Sequence, residues 1–214
     1  MVKAFLFDMD GVLIDSEPIH TRVKRDTLIH FGLDAEIDFS AYMGRTSRVL
    51  FTDAIERAGR HELEPSMLAD YKHERYLDIL KNDNAIQPIE GARELLLRLS
   101  EERIPMALAS SSARQVIEAV LEKFDFHRFF SSVLSGADLP ASKPDPAVYR
   151  ISAERLGKNP SECVVLEDAS SGIAAAKAAG MRCIAFKNPN SGKQDLSGAD
   201  WIVNHLSEID ITAL

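Results

Sequence analysis

The 214-residue sequence predicts an α/β fold: a parallel sheet with helices on both faces, interrupted near its start by a helical insert. Three observations predict it. From Gly91 onward, short apolar runs suited to buried strands alternate with stretches of helical periodicity, the pattern of βα units. Between Glu17 and about Leu80 that alternation stops, and three or four helical stripes follow one another without a strand. Finally, polar clusters stand just beyond apolar runs: Asp8-Met9-Asp10 after Ala4–Phe7, Ser110 after Met106–Ala109, Glu167-Asp168 after Val164–Leu166, with Lys143 in Ser-Lys-Pro-Asp-Pro. Ligands of an open parallel sheet bind outside the carboxyl ends of its strands. If these runs are neighbouring strands, several carboxylates, one lysine and one hydroxyl share a small volume there.

Taken in order, Lys3–Phe7 reads as a buried strand that breaks at Gly11. Ile19, Val23, Leu28 and Phe31 make one helix stripe, closed by Gly32; Val49, Leu50, Ala54, Ile55 and Ala58 make a second, closed by Gly59; Leu68, Tyr71, Tyr76, Leu77 and Leu80 make a third. The alternation then runs helix Ala92–Glu102, strand Ile104–Ala109, helix Ala113–Phe124 and a short strand around Val133–Leu134. Helix Pro146–Leu156, strand Cys163–Glu167, helix Gly172–Ala179 and strand Arg182–Phe186 follow. A short strand at Trp201–Val203 leads to a last helical turn. Asp145 is placed to cap a helix that has Pro146 at its first position and Gly157 at its end. The core is therefore discontinuous, residues 1–15 and 82–214 of a Rossmann-like sheet, with residues 16–81 as a helical cap.

Composition narrows the function. Hydrophobic residues make up 45% and charged ones 27%, ordinary for a globular chain. A net charge of −8 without a basic stripe argues against a nucleic-acid backbone as partner. A small anionic substrate is still accommodated, because a metal and local lysines reverse the sign inside a cleft. No apolar run approaches the ~20 residues that span a bilayer, and no secretory signal is legible, so a cytoplasmic monomer without membrane contact is expected. Cys163 and Cys183, both inside apolar strands, read as buried thiols.

The polar clusters carry the chemistry. Asp8 and Asp10 flank one residue at a strand end, so both reach the same space; a metal-bound carboxylate can attack phosphorus while a second protonates the leaving oxygen. Glu167 and Asp168 are hard oxygen donors of the kind Mg2+ prefers beside a phosphate, although Asp168 also suits a helix cap. Lys143 is placed to neutralise both the attacking carboxylate and phosphoryl oxygens, with a solvated loop lysine as the plainer alternative. Ser110, with Ser111 and Ser112 behind it, opens a helix, where a hydroxyl and N–H groups hold phosphate oxygens or simply cap.

Together, Asp8-Met9-Asp10-Gly11-Val12-Leu13-Ile14-Asp15, Leu108-Ala109-Ser110-Ser111, Ser142-Lys143-Pro144-Asp145-Pro146 and Leu166-Glu167-Asp168-Ala169-Ser170-Ser171-Gly172-Ile173 resemble, in order and spacing, the four motifs of the haloacid dehalogenase-like phosphohydrolases. More narrowly, the chain resembles their beta-phosphoglucomutase and sugar-phosphatase branch. The resemblance covers essentially the whole core and implies Asp8 as nucleophile and Asp10 as general acid/base. It further implies Ser110 and Lys143 on the phosphoryl group, and Mg2+ on Asp8, the Asp10 carbonyl and Glu167 or Asp168. A true dehalogenase of this superfamily lacks the second aspartate, so Asp10 argues against that chemistry.

Substrate choice is expected in the helical insert. Met43-Gly44-Arg45-Thr46-Ser47-Arg48 has an arginine and two hydroxyls suited to a sugar or a second phosphate, with a helix–helix turn capped by Ser47 or Thr46 as the plainer alternative. The mutase branch has a lysine-glycine-valine-serine-arginine loop there, and Met43 stands where its lysine would be, which argues against mutase activity. His20 and Lys72 fall where the resemblance places a histidine and a lysine close to the sugar, although each is on a charged helix where a solvated side chain is the alternative. The expected function is a Mg2+-dependent phosphatase of a small phosphorylated metabolite, a sugar phosphate first of all. The alternatives are a beta-phosphoglucomutase or inorganic pyrophosphatase on the same fold, and a non-catalytic binding protein.

Overall fold

The computed structural model describes residues 2–42, 47–83 and 86–213. Six strands, β1 (Ala4–Phe7), β2 (Met106–Ser110), β3 (Phe130–Ser135), β4 (Cys163–Glu167), β5 (Arg182–Phe186) and β6 (Trp201–Val203), form one parallel sheet in the order β3-β2-β1-β4-β5-β6. The chain builds outward from β1 through β2 to β3, then returns to lay β4 on the other side of β1. This reversal opens a crevice at the carboxyl ends of β1 and β4, the place where such sheets bind ligands. Register sharpens the point. Phe7 pairs with Leu108 on one side and Leu166 on the other, and the Asp8 N–H donates to the Leu166 carbonyl at 3.0 Å. The residues just beyond these three positions therefore leave the sheet at one level.

Helices α1 (Glu17–His30), α2 (Ser47–Ala58), α3 (Pro65–Asn82), α4 (Ala92–Glu101), α5 (Arg114–Lys123), α6 (Ala147–Arg155) and α7 (Ser170–Ala178) complete the described elements, with short 3₁₀ turns between them. The central strands are buried throughout their length, as parallel strands with both faces covered must be. Ala4, Leu6, Ala107, Ala109, Val165 and Ala185 pack on one face against Val148, Tyr149 and Ala153 of α6 and Ile173, Ala175 and Ala176 of α7. Alanines on both the strands and the helices let backbones approach closely there. On the other face Phe5, Phe7, Leu108, Val164 and Leu166 are equally buried. Cys163 and Cys183 are free thiols inside this core, and burial pushes the Cys163 thiol up to about 11.

The chain divides into two compact units, residues 1–15 with 86–214 and residues 16–85. The second holds α1, α2 and α3, and its core joins Leu28, Leu50, Phe51, Ala54, Ile55 and Leu68. Some stripe residues differ from the sequence expectation. Val49 and Ala58 are exposed and Phe51 is buried, because the inward face follows 50, 51, 54 and 55. Tyr71 lies outside that core, stacked on His30 with ring centroids 4.1 Å apart, while Ile79 takes a buried place on α3.

Helix starts also shift. The first residue of α6 is Ala147, yet Asp145 still accepts its N–H at 2.9 Å. Helix α7 begins at Ser170, two residues earlier than its glycine suggests, because Gln194 Oε1 accepts both the Ser170 N–H and its hydroxyl at 3.1 Å. That cap comes from 24 residues away, so local sequence carries no sign of it. No described helix is long and apolar enough to cross a membrane.

Candidate active site

Asp8 leaves the end of β1 with its side chain buried. Lys143 reaches it from the loop between β3 and α6, where a turn from Ser142 to Asp145 aims the side chain back over the sheet edge. Its Nζ donates to Asp8 Oδ1 at 2.6 Å, to Glu167 Oε1 at 2.7 Å and to the Ala109 carbonyl at 3.1 Å. An ammonium has three donors, so this one is fully engaged. With 7% of its side chain exposed, Lys143 is a structural part of the crevice, not a solvated loop lysine. Burial disfavours its charge, but the carboxylates of Asp8 and Glu167 outweigh burial and raise its pKa.

Glu167 is the hub that orients this lysine. Besides Lys143, its Oε1 accepts from the Tyr149 hydroxyl at 2.7 Å, and its Oε2 accepts from the N–H groups of Asp168 at 3.0 Å and Ala169 at 3.2 Å. The Tyr149 ring also lies under the Lys143 ammonium, 4.8 Å from centroid to Nζ, adding a cation–π contact. Burial, with the Glu167 carboxylate beside it, pushes the Tyr149 hydroxyl well above its usual range, so it stays a donor. Gly172 is what admits the carboxylate: a Cβ on it would sit 1.7 Å from Glu167 Oε1. The glycine is thus required by close approach, its backbone being ordinary helix.

Asp8, Glu167 and Asp168 form a buried trio whose carboxylate oxygens lie within 4.8 Å of one another. Burial, opposed by Lys143 and reinforced by the neighbouring acids, raises the Asp8 pKa well above the carboxylate range. Burial and Glu167 push Asp168 up to about 7. Three buried carboxylates against one ammonium leave excess negative charge, and the donors are all hard oxygens, so the trio fits a divalent cation. Glu167 has both oxygens occupied by protein donors, which leaves Asp8 and Asp168 as the better-placed ligands. Asp168 is itself steered by the Ser191 hydroxyl. Gly11, at φ +81°, passes so close that a Cβ would lie 1.9 Å from Asp168 Oδ2, and its carbonyl accepts from Asn188 Nδ2 at 3.0 Å.

Asp10 stands beside the trio. Ser112 Oγ donates to its Oδ2 at 2.6 Å, and its Oδ1 is buried with no hydrogen-bond partner among the described residues. Ser110 is fully buried at the end of β2, where its Oγ accepts the Ser112 N–H at 3.0 Å, whereas Ser111 is exposed. In the helical unit, Lys72 Nζ lies 3.0 Å from His20 Nδ1, and the His20 ring stacks on Tyr76 at 4.3 Å. Ser47 is the first residue of α2. Met43, Gly44, Arg45 and Thr46 lie outside the described residues. Sequence reasoning missed Tyr149, Gln194 and the loop side chains Asn188 and Ser191. Only the apolar spacing around Tyr149 carried any signal, and that signal says core, not site.

Fold and site together define an α/β enzyme, a phosphoric monoester hydrolase. Residues 5–186 match the family described as haloacid dehalogenase-like hydrolase, and the chain belongs to that family. The chain is 31% identical to the fructose-1-phosphate phosphatase YqaB of Escherichia coli over 84% of its own length and 93% of the relative's. It is 31% identical to the phosphorylated carbohydrates phosphatase of Thermotoga maritima over 97% of its length and all of that protein. Among solved structures it is similar to CbbY of Rhodobacter sphaeroides in complex with xylulose-(1,5)bisphosphate, with a TM-score of 0.80 at 27% identity, covering 97% of this chain and 96% of that one.

Proposed function

We propose that this protein is a Mg2+-dependent phosphatase of small sugar phosphates that works through an aspartyl-phosphate on Asp8. The observation that carries the reading is the bridge of Lys143 between Asp8 and Glu167 at the β1/β4 crevice, with Asp168 beside it. That bridge fixes Asp8 with one oxygen held by a cation. Lys143 then faces the phosphoryl oxygens whose charge grows as the bond to the sugar oxygen breaks. Asp8 attacks phosphorus in line, Asp10 gives its proton to the departing alkoxide, and Asp10 next takes a proton from the water that attacks the aspartyl-phosphate at phosphorus. Atoms balance: sugar phosphate and water become sugar and inorganic phosphate, and both aspartates return to their starting states. Ser110 and the N–H groups at the start of α5 are assigned to the phosphoryl oxygens. Asp8, Asp168 and the Asp10 carbonyl would hold Mg2+, with Glu167 anchoring Lys143. When bound, Mg2+ supplies charge neutralisation at the phosphoryl group.

Substrate class follows from the relatives, whose names specify fructose 1-phosphate and phosphorylated carbohydrates. By the resemblance, residues 16–85 act as the cap that selects the sugar, with His20, Lys72, Ser47, Arg45 and Thr46 as its candidates. The His20–Lys72 contact also keeps the mutase alternative testable, since both residues fall at the sugar-side positions of that branch. The test is phosphate release from a panel of sugar phosphates, with fructose 1-phosphate included, in Mg2+ and in EDTA. Turnover that stops in EDTA, and falls more than about 10³-fold in Asp8→Asn, supports the reading. Undiminished turnover by Asp8→Asn would remove Asp8 as the nucleophile.

A further inference from the structure

The backbone of Ser112 is pinned from two sides. Its N–H donates to Ser110 Oγ at 3.0 Å, and its carbonyl accepts from Ser135 Oγ at 2.8 Å. Ser110 and Ser135 are both fully buried, side by side at the ends of β2 and β3, where they are register partners. Gly136 keeps this corner tight: a Cβ on it would come within 3.2 Å of the Ser110 carbonyl. With its backbone held, Ser112 has its side chain aimed at Asp10 Oδ2, 2.6 Å away, a hydrogen bond of normal length.

The direction of that bond has a chemical consequence. A hydroxyl bound at Oδ2 fixes the rotation of the Asp10 carboxyl and leaves Oδ1 as the oxygen turned away from Ser112. Oδ1 is the oxygen that is buried without a partner among the described residues. We propose that Ser112 is the positioning residue for Asp10, holding Oδ2 so that Oδ1 presents the proton to the leaving-group oxygen. This rests on the reading of Asp10 as the general acid. Proton delivery requires a carboxyl with one fixed orientation, and the Ser112 bond supplies it.

Leaving-group basicity separates this role from a structural one. Phenyl phosphate and 4-nitrophenyl phosphate present the same phosphoryl group, but only the more basic phenoxide needs a proton as it departs. Ser112→Ala should lower kcat on phenyl phosphate by about 10- to 100-fold, with less than about a threefold loss on 4-nitrophenyl phosphate and little change in KM. Ser112→Thr, which keeps the hydroxyl, should restore the phenyl phosphate rate. An equal loss on both substrates, or a loss confined to KM, overturns the positioning role. Asp10→Asn serves as the reference. If it is sensitive to the leaving group and Ser112→Ala is not, Ser112 alone is misassigned. If Asp10→Asn is itself insensitive, the general-acid reading fails and takes the proposal with it.

Discussion

Alanine at position 172 opposes two effects whose sizes differ. In a helix interior alanine is favoured over glycine by about 1 kcal/mol, so from α7 alone the change should stabilise. The structure reverses that sign. The new Cβ would stand 1.7 Å from Glu167 Oε1 and 2.0 Å from its carboxyl carbon, so the carboxylate must leave its place. It would abandon Lys143, Tyr149 and the N–H groups of Asp168 and Ala169 together. Removing one partner of a buried charge network costs about 3–5 kcal/mol, so a net loss of about 3 kcal/mol remains after the helix gain. Lys143 would also swing about Asp8, and a displacement of about 1 Å near reacting groups costs on the order of 100-fold in rate. Urea unfolding and kcat/KM of Gly172→Ala measure both. The decisive comparison is the same substitution in a Glu167→Ala background, where nothing remains to collide and alanine should be neutral or stabilise by up to about 1 kcal/mol. A Gly172→Ala protein as stable and active as the parent, or a penalty unchanged without Glu167, would refute the account of this glycine.

The acidic trio makes a pH prediction. Asp168 titrates at about 7 when folded, against about 4 in an unfolded chain. The folded state therefore holds the extra proton between these limits, and stability of the metal-free protein falls as pH rises from about 4 to about 7. Melts in EDTA at about pH 5 and at about pH 8 should show the drop, and Asp168→Asn should flatten it. Under the phosphatase reading, steady phosphate release from beta-glucose 1-phosphate is expected with negligible glucose 6-phosphate. Primer-dependent NADPH formation through glucose-6-phosphate dehydrogenase, outpacing phosphate release, would instead install the mutase reading and return Lys72 to it.

The sheet was legible because parallel strands advertise themselves as unbroken apolar runs, and the site because its polar residues stand immediately past those runs. Asp8, Ser110 and Glu167 need only strand ends and neighbour relations, and register does the rest. What could not be read depends on partners distant in the chain. Tyr149 looks like core until Glu167 is placed against its hydroxyl, and Gln194 looks like a loop residue until α7 turns its first N–H toward it. Ser112 was visible only as one of three serines able to cap α5; its bond to Asp10 spans 102 positions. In the helical unit, periodicity located α1, α2 and α3 but misjudged Val49, Ala58 and Tyr71. Amphipathic stripes on short helices are broad enough to rotate by a residue without changing the pattern.

The central claim, that the phosphoryl group passes through Asp8, is tested most directly by the stereochemistry at phosphorus. Hydrolysis of a substrate analogue whose phosphorothioate group is made chiral with two oxygen isotopes, run in water of the third, reports the number of displacements whether or not an intermediate accumulates. Transfer to Asp8 and then to water comprises two in-line steps, each inverting the centre, so the account predicts net retention in the released thiophosphate. Net inversion would mean that water attacks the substrate directly, and Asp8 would then be no nucleophile.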